Sequence, residues 1–149
     1  MWATDVCVPI SRLTDCIEET QRDLAESSIF GPIIGHVGDG NFHFGYLIDP
    51  NSAEERATAE ALNHKLVSRA LSLEGTCTGE HGIGLHKIEF LVNEAGAGAV
   101  EMMRTLKRAL DPNNIMNPGK IFTLYPPSVA VAEFFDQAIE LVQGAELDG

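Results

Sequence analysis

The sequence predicts an α+β fold, a ferredoxin-like antiparallel sheet with helices packed on one face. Phe42, Phe44 and Tyr46 alternate with polar or small residues, which is typical of a half-buried strand. Asp39-Gly40 is a strong signal for a tight reversal between two extended segments. Other segments carry apolar residues at helical spacing. Strands and helices mixed around a central hairpin favour helices layered on a small antiparallel sheet.

The first half of the chain contains two predicted strand regions and one helix. Residues 4–10 (TDVCVPI) are rich in β-branched residues and contain a proline near their end, which predicts a strand. Ser11 is the predicted cap of a helix that ends near residues 26–28, and its apolar stripe consists of Leu13, Ile17 and Leu24. Residues 29–50 contain too many glycines for a helix and form the predicted hairpin.

The long helix of the middle region has both a start and a stop signal. Ser52 and Glu55 have the spacing of a capping box, and Gly75 is the predicted stop. The apolar stripe between them consists of Leu62, Leu66, Ala70 and Leu73.

A glycine-rich loop over residues 76–84 leads to a second helical region, which ends at Asp111-Pro112. The face predicted to meet the core consists of Val100, Met103, Leu106 and Leu110. Residues 117–122 (NPGKIF) predict a turn and a short strand. We place one domain over 1–125 and interpret 126–149 as a helical extension, either a local addition or a homo-oligomer contact.

Composition narrows the class of protein. With 149 residues and 44% hydrophobic content, the chain can form one domain with a real core. A formal net charge of -12 opposes binding to nucleic acids. No apolar run approaches the length of a membrane span, and no signal peptide is recognisable. Three cysteines without CxxC spacing indicate neither a disulfide framework nor a thiolate zinc site, so we expect a reducing, cytoplasmic setting.

The segment GHVGDGNFH (35–43) concentrates polar groups between apolar runs. If Asp39-Gly40 is the two-residue loop of a type I′ turn, His36 lies directly opposite His43. Residues paired in this way have Cβ atoms about 4.5–5.5 Å apart, which suits two imidazoles on one cation. The same register puts Asn41 on the histidine face, with Val37 and Phe42 on the other face, toward the core.

Two histidines leave a divalent ion short of ligands. Glu80, flanked by glycines in TGEHGIG, is the best third ligand, and the set suits zinc, manganese or iron. The alternative is that both histidines are hydrogen-bonded core residues without a metal. Among the other histidines, His64 is predicted to be solvated, and His86 is a weaker candidate for a position beside the ligands.

Four motifs carry a resemblance to a known family. They are TDVCVPISRL, GHVGDGNFH, GTCTGEHGIG and LKRALDPNNIMNPGKIF, in this order. Together they resemble the C-terminal part of the FAD-linked oxidases of the vanillyl-alcohol-oxidase superfamily, and most of all the cytochrome-type D-lactate dehydrogenases and glycolate oxidase flavin subunits. The resemblance covers residues 4 to about 122.

The resemblance implies a cap domain that closes over FAD held by a separate flavin-binding domain. It implies that His36, His43 and Glu80 are metal ligands, that His81 is the catalytic base and that Asn117 contacts the cofactor. No flavin-binding domain is recognisable in these 149 residues, so we expect no turnover by this chain alone.

Two departures from the family's pattern bear on the substrate. Relatives that oxidise 2-hydroxyglutarate have a lysine and an asparagine where this chain has Ala3 and Gly45, which favours a small substrate such as D-lactate. We therefore expect a D-2-hydroxy-acid dehydrogenase that passes electrons from FAD to a cytochrome or quinone, with peripheral membrane association through that acceptor. The alternative is a stand-alone metal- or ligand-binding module without activity.

Overall fold

The computed structural model describes residues 1–124, so the predicted helix within 126–149 lies outside the described residues. The described residues include two short 3-10 turns, Ile10–Arg12 and Val37–Asp39. The strands and α-helices are β1 (Trp2–Cys7), α1 (Leu13–Ala25), β2 (Ile33–His36), β3 (Asn41–Tyr46), α2 (Ala53–Ser72), α3 (Ile88–Ala95) and α4 (Ala97–Leu110).

The three strands form an antiparallel sheet in the order β1-β3-β2. After α2 the chain returns to the free edge of β1, where Thr76 and Cys7 form a single antiparallel bridge. This bridge stands where a ferredoxin-like sheet has its fourth strand. The predicted α+β class is therefore confirmed, with the last strand reduced to one pair.

The two faces of the sheet have different chemistry because side chains alternate along each strand. Val6, Phe42, Phe44 and Tyr46 share one face and are at most 1% exposed. They pack with α1 and α2 in one core, whose helix residues include Leu13, Cys16, Ala59, Leu62, Leu66, Val67 and Ala70. The opposite face carries Asp5, Asn41 and His43.

The start of α2 follows the predicted capping box in part. The Ser52 hydroxyl accepts a hydrogen bond from the Glu55 amide at 3.2 Å, as predicted. The Glu55 carboxylate accepts from the Asp49 amide at 2.7 Å instead of returning to Ser52. At the far end the left-handed residue is Glu74, with φ of 62°. Gly75 serves close packing, because a Cβ there would lie 2.3 Å from the Cys7 carbonyl oxygen.

Of four other predictions of local structure, one was wrong and three were right only in part. Ser11 does not cap α1, because a 3-10 turn precedes the helix and no side chain caps it. Residues 117–122 form turns, not a strand. The glycine loop is followed by a separate short helix, α3, before α4. On α4, Leu106 and Leu110 are 54% and 80% exposed instead of facing the core.

Within residues 1–124, no helix combines the length and apolarity needed to cross a bilayer.

Candidate metal site

The hairpin has a different register from the predicted one. His36 pairs with Asn41, and His43 pairs with Ile34, so four residues form the connection instead of two. Val37 begins that connection and is 63% exposed, so its predicted core position was wrong. Gly40 ends it with φ of 73°. The strands are thus shifted by two residues from the predicted pairing.

A shift of two residues keeps the side chains of the paired strand residues on their predicted faces, because the side-chain period of a strand is two. His36 and His43 are therefore diagonal neighbours on one face, with ring centroids 5.5 Å apart. Phe42 points into the core on the other face, as predicted.

Glu80 reaches both histidines from the glycine loop. Its Oε1 lies 2.8 Å from His43 Nε2 and 3.4 Å from His36 Nε2. Donor atoms of these three residues all lie within 4.8 Å of one another. The structure thus brings together the three predicted ligands. His36 is 59% exposed and so is not a core residue, whereas His43 is 20% exposed and remains compatible with the hydrogen-bonded alternative.

His81 lies beside this cluster. Its ring stacks on that of His43 with centroids 4.9 Å apart, and half of its side chain is exposed. The His81 imidazole thus contacts the candidate ligand His43 and is partly open to solvent. It can reach a molecule bound at the cluster.

A buried carboxylate under the loop holds the Glu80–His81 segment. Asp5 pairs with His43 across β1 and β3 and is 0% exposed. It accepts hydrogen bonds from the backbone amides of Glu80 at 2.5 Å and His81 at 2.9 Å, and from the Lys87 ammonium at 2.9 Å. Burial alone would raise the pKa of Asp5, but these bonds hold it well below its usual value.

Asp5, His43 and His81 form a second group with metal-ligand spacing. Asp5 is unsuited to bind a cation because its oxygens already accept from two amides, Lys87 and the Thr78 hydroxyl. Glu80 has open space and no such partners on its carboxylate within residues 1–124. His36, His43 and Glu80 are therefore the better donor set.

Residues 1–121 match the family described as FAD linked oxidases, C-terminal domain. The chain belongs to this family. The match spans the sheet, all four helices and the segment that follows α4, so the whole described fold of this FAD-linked oxidase domain is included.

Curated relatives of this FAD-linked oxidase domain agree with the family. It is 54% identical over 123 residues to a probable mitochondrial D-lactate dehydrogenase of Danio rerio, covering 83% of this chain and 25% of the relative. It is 51% identical over 126 residues to the mitochondrial D-lactate dehydrogenase [cytochrome] of Arabidopsis thaliana, covering 85% and 22%. It is 34% identical over 129 residues to glycolate oxidase subunit GlcD of Bacillus subtilis, covering 87% and 27%. The chain thus spans about a quarter of the length of these relatives.

Other predicted residues lie apart from the cluster. Asn117 is exposed, has a left-handed backbone with φ of 45°, and follows α4. Its segment is tied to the glycine loop by a 2.8 Å hydrogen bond from the Ile121 amide to the Gly84 carbonyl. His86 lies against Trp2, with ring centroids 6.2 Å apart, and neither metal-spaced group of the described residues includes it. His64 is exposed, as predicted.

Sequence reasoning missed Asp5, Lys87 and Thr78. The available signal was Asp5 itself, since an acidic residue inside an otherwise apolar, β-branched strand needs a partner when it is buried. Lys87 follows the glycine loop, and its side chain is only 7% exposed. Its pairing with Asp5 depends on a contact between residues 82 positions apart, which spacing does not predict.

Proposed function

We propose that this chain is the catalytic cap of a FAD- and metal-dependent D-2-hydroxy-acid dehydrogenase with D-lactate as substrate. The observation that carries the proposal is the convergence of His36, His43 and Glu80 beside His81. FAD would be held mainly by a separate flavin-binding domain. A cytochrome or quinone would accept the electrons, and membrane association through that acceptor belongs to the same proposal.

The donor set fits a divalent metal. Two imidazoles and one carboxylate are ligands of zinc, manganese and iron, and three protein ligands leave positions open for substrate. Ligand atoms in a tetrahedral site with bonds near 2.1 Å are separated by about 3.4 Å. The 3.4 Å separation between Glu80 and His36 agrees with this value, and the 2.8 Å separation between Glu80 and His43 is a hydrogen-bond distance that would lengthen on metal binding.

When bound, the metal would lower the pKa of the substrate hydroxyl and FAD would accept the C2 hydride. The residues of this chain then have separate tasks. His36, His43 and Glu80 would hold the metal on the face of the sheet opposite the core. His81 accepts the hydroxyl proton, a role for which a neutral imidazole is suited. Asn117 is placed by the resemblance at a contact with the flavin.

A small apolar pocket beside His43 supports a small substrate. Its volume is about 80 Å³, and Ala3, Ile34, Pro32 and Gly45 contribute to its walls. Such a pocket fits the methyl group of lactate, and Ala3 and Gly45 bring no polar side chain to it for a second carboxylate. A Cβ at Gly45 would lie 3.0 Å from the Met1 sulfur, so a larger residue there would fill the space.

The names of the relatives support a D-2-hydroxy acid as the substrate class. Relatives more than 50% identical are named D-lactate dehydrogenases. A relative 33% identical, from Oryza sativa, is named a probable D-2-hydroxyglutarate dehydrogenase. The two substrates share the hydroxyl and the adjacent carboxylate, and differ in the group that the pocket beside His43 would accommodate.

A chimera tests this proposal. Residues 1–124 would replace the matching segment of the Danio rerio relative, and flavin reduction by D-lactate and D-2-hydroxyglutarate would be followed by absorbance. We expect bound metal and reduction by D-lactate. His36→Ala and His43→Ala should each lose the metal and lower the rate, whereas His64→Ala, on exposed helix surface, is the matched control. Gly45→Asn should weaken the apparent affinity for D-lactate because it fills the pocket.

Three results would reject parts of the proposal. Unchanged metal content in both ligand variants would remove the metal site. A metal-loaded chimera that reduces flavin with neither acid would favour the binding module without activity. Reduction by D-2-hydroxyglutarate in preference to D-lactate would reject the substrate assignment.

A further inference from the structure

We propose that Asp5 is a positioning residue, which together with Lys87 places the Glu80–His81 segment for metal binding. The inference rests on the proposed metal site, since Glu80 and His81 have their roles only there. Asp5 itself touches neither substrate nor metal in this assignment. It acts through the backbone of the loop.

The first support is the number of loop groups that converge on one carboxylate. Asp5 Oδ2 accepts from the amides of Glu80 and His81 at 2.5 and 2.9 Å. The Thr78 hydroxyl donates to Asp5 at 3.2 Å and accepts from the Gly82 amide at 2.9 Å. Three consecutive amides of the loop are thus held by Asp5, two directly and one through Thr78.

Lys87 completes the arrangement at the far end of the loop. Its ammonium donates to Asp5 Oδ1 at 2.9 Å and also to the Asp5 backbone carbonyl. A carboxylate at 0% exposure would be strongly destabilising alone, and this cation compensates its charge. Residues 78 and 87 are therefore tied to the same strand position, so both ends of the loop are anchored.

The Asp5 contacts matter because the glycines leave many backbone conformations open to the loop. Gly79, Gly82 and Gly84 lie within it, and the last two have φ of 78° and 54°. The Glu80 side chain is about half exposed, so packing does not determine where its carboxylate lies. The position of the Glu80 backbone then decides whether the carboxylate meets His36 and His43.

Variants of the chain test the role by two measurements that need no turnover. Zinc affinity would be measured by competition with a chelator, and hydrogen exchange of the Glu80 and His81 amides by NMR. We expect Asp5→Ala to weaken zinc binding roughly 10–100-fold, the range for residues that orient metal ligands. Both amides should exchange faster. Asp5→Asn combined with Lys87→Met keeps an oxygen acceptor without a buried charge, and should recover most of the affinity.

Asp23→Asn is the matched control, because Asp23 also forms a partly buried ion pair, with Arg69, between α1 and α2. It should lower stability without changing zinc affinity. Equal loss of affinity in Asp5→Ala and Asp23→Asn would overturn the proposal, as would unchanged affinity and exchange in Asp5→Ala. If Asp5→Ala does not fold, Thr78→Val, which should speed exchange of the Gly82 amide and weaken zinc binding, decides in the same way.

The failure of the two proposals can be told apart. Absence of zinc binding in the unchanged chain rejects the metal site. The exchange rates of the Glu80 and His81 amides then still decide whether Asp5 holds the loop.

Discussion

At the scale of single residues, one close approach joins the glycine loop to the hairpin. Gly79 lies against the buried Asn41, and a Cβ at Gly79 would be 1.9 Å from Asn41 Oδ1. No side chain fits there unless the loop or the buried Asn41 side chain moves. Since Glu80 follows directly, a movement of the loop would carry the proposed ligand away from His36 and His43.

Gly79→Ala tests this contact. We expect it to lower the melting temperature and weaken zinc binding, because the added methyl group displaces the loop. Gly98→Ala is the control, since nothing lies within 4 Å of a Cβ there and the position is helical. It should leave zinc binding unchanged and stabilise the fold by about 0.5 kcal/mol. Unchanged zinc affinity in Gly79→Ala would contradict the expected coupling of loop and hairpin.

At the scale of elements, α4 shows how an apolar stripe differs from a buried face. Val100 is 1% exposed, and Met103 is partly buried. Leu106 and Leu110, on the same predicted stripe, are mainly exposed. Helix periodicity identifies which residues share a face, but the length of that face in contact with the core depends on where the helix lies.

Shortening one side chain near each end of α4 tests whether the two ends differ in burial. Val100→Ala should destabilise the fold by about 2 kcal/mol, because it removes fully buried methyl groups. Leu110→Ala should change the free energy of unfolding by less than about 0.5 kcal/mol. Urea unfolding of both variants measures the difference. Similar losses would mean that both ends of α4 are buried in solution.

The same distinction applies to the hairpin. Alternation along β3 was sufficient to predict that Phe42, Phe44 and Tyr46 are core residues and that His43 is not. The predicted length of the connection was two residues too short, because Val37–Asp39 forms a 3-10 turn that lies in the connection and not in the strand. His36 and His43 still share one face, as predicted, because a shift by an even number of residues keeps side chains on the same side of the strand.

At the scale of the whole molecule, an ion cluster holds α1 against α2 over the core. Arg69 donates to Glu19 at 2.8 Å and to Thr20 at 2.9 Å, and pairs with Asp23. Lys65 also pairs with Asp23, at 3.0 Å. Burial opposes ionisation of Asp23, but the hydrogen bonds from Arg69 and Lys65 lower its pKa below the usual 3.8. The charged form is therefore the one that the fold stabilises.

This predicts a pH-dependent contribution to stability. A carboxyl with a lowered pKa in the folded state stabilises fully above its unfolded pKa, near 3.8, and loses that contribution as the pH falls through the folded pKa. At neutral pH, Asp23→Asn should cost about 2 kcal/mol, since hydrogen bonds to charged groups are removed. The difference from the unchanged chain should shrink below about pH 4. Urea unfolding across this range measures it, and a constant difference would contradict the prediction.

The sequence by itself determined the α+β class, the two faces of β3 and the stripe of α2, and its motifs singled out the candidate site residues His36, His43, Glu80 and His81. These follow from local periodicity and from motifs, which are properties of neighbouring positions. Only the tertiary structure decided the register of β2 with β3, the exposure of the end of α4 and the anchoring of the loop. Asp5, Thr78 and Lys87 meet across more than 70 positions of chain. Which distant groups come together depends on how the elements pack, and no local pattern encodes that outcome.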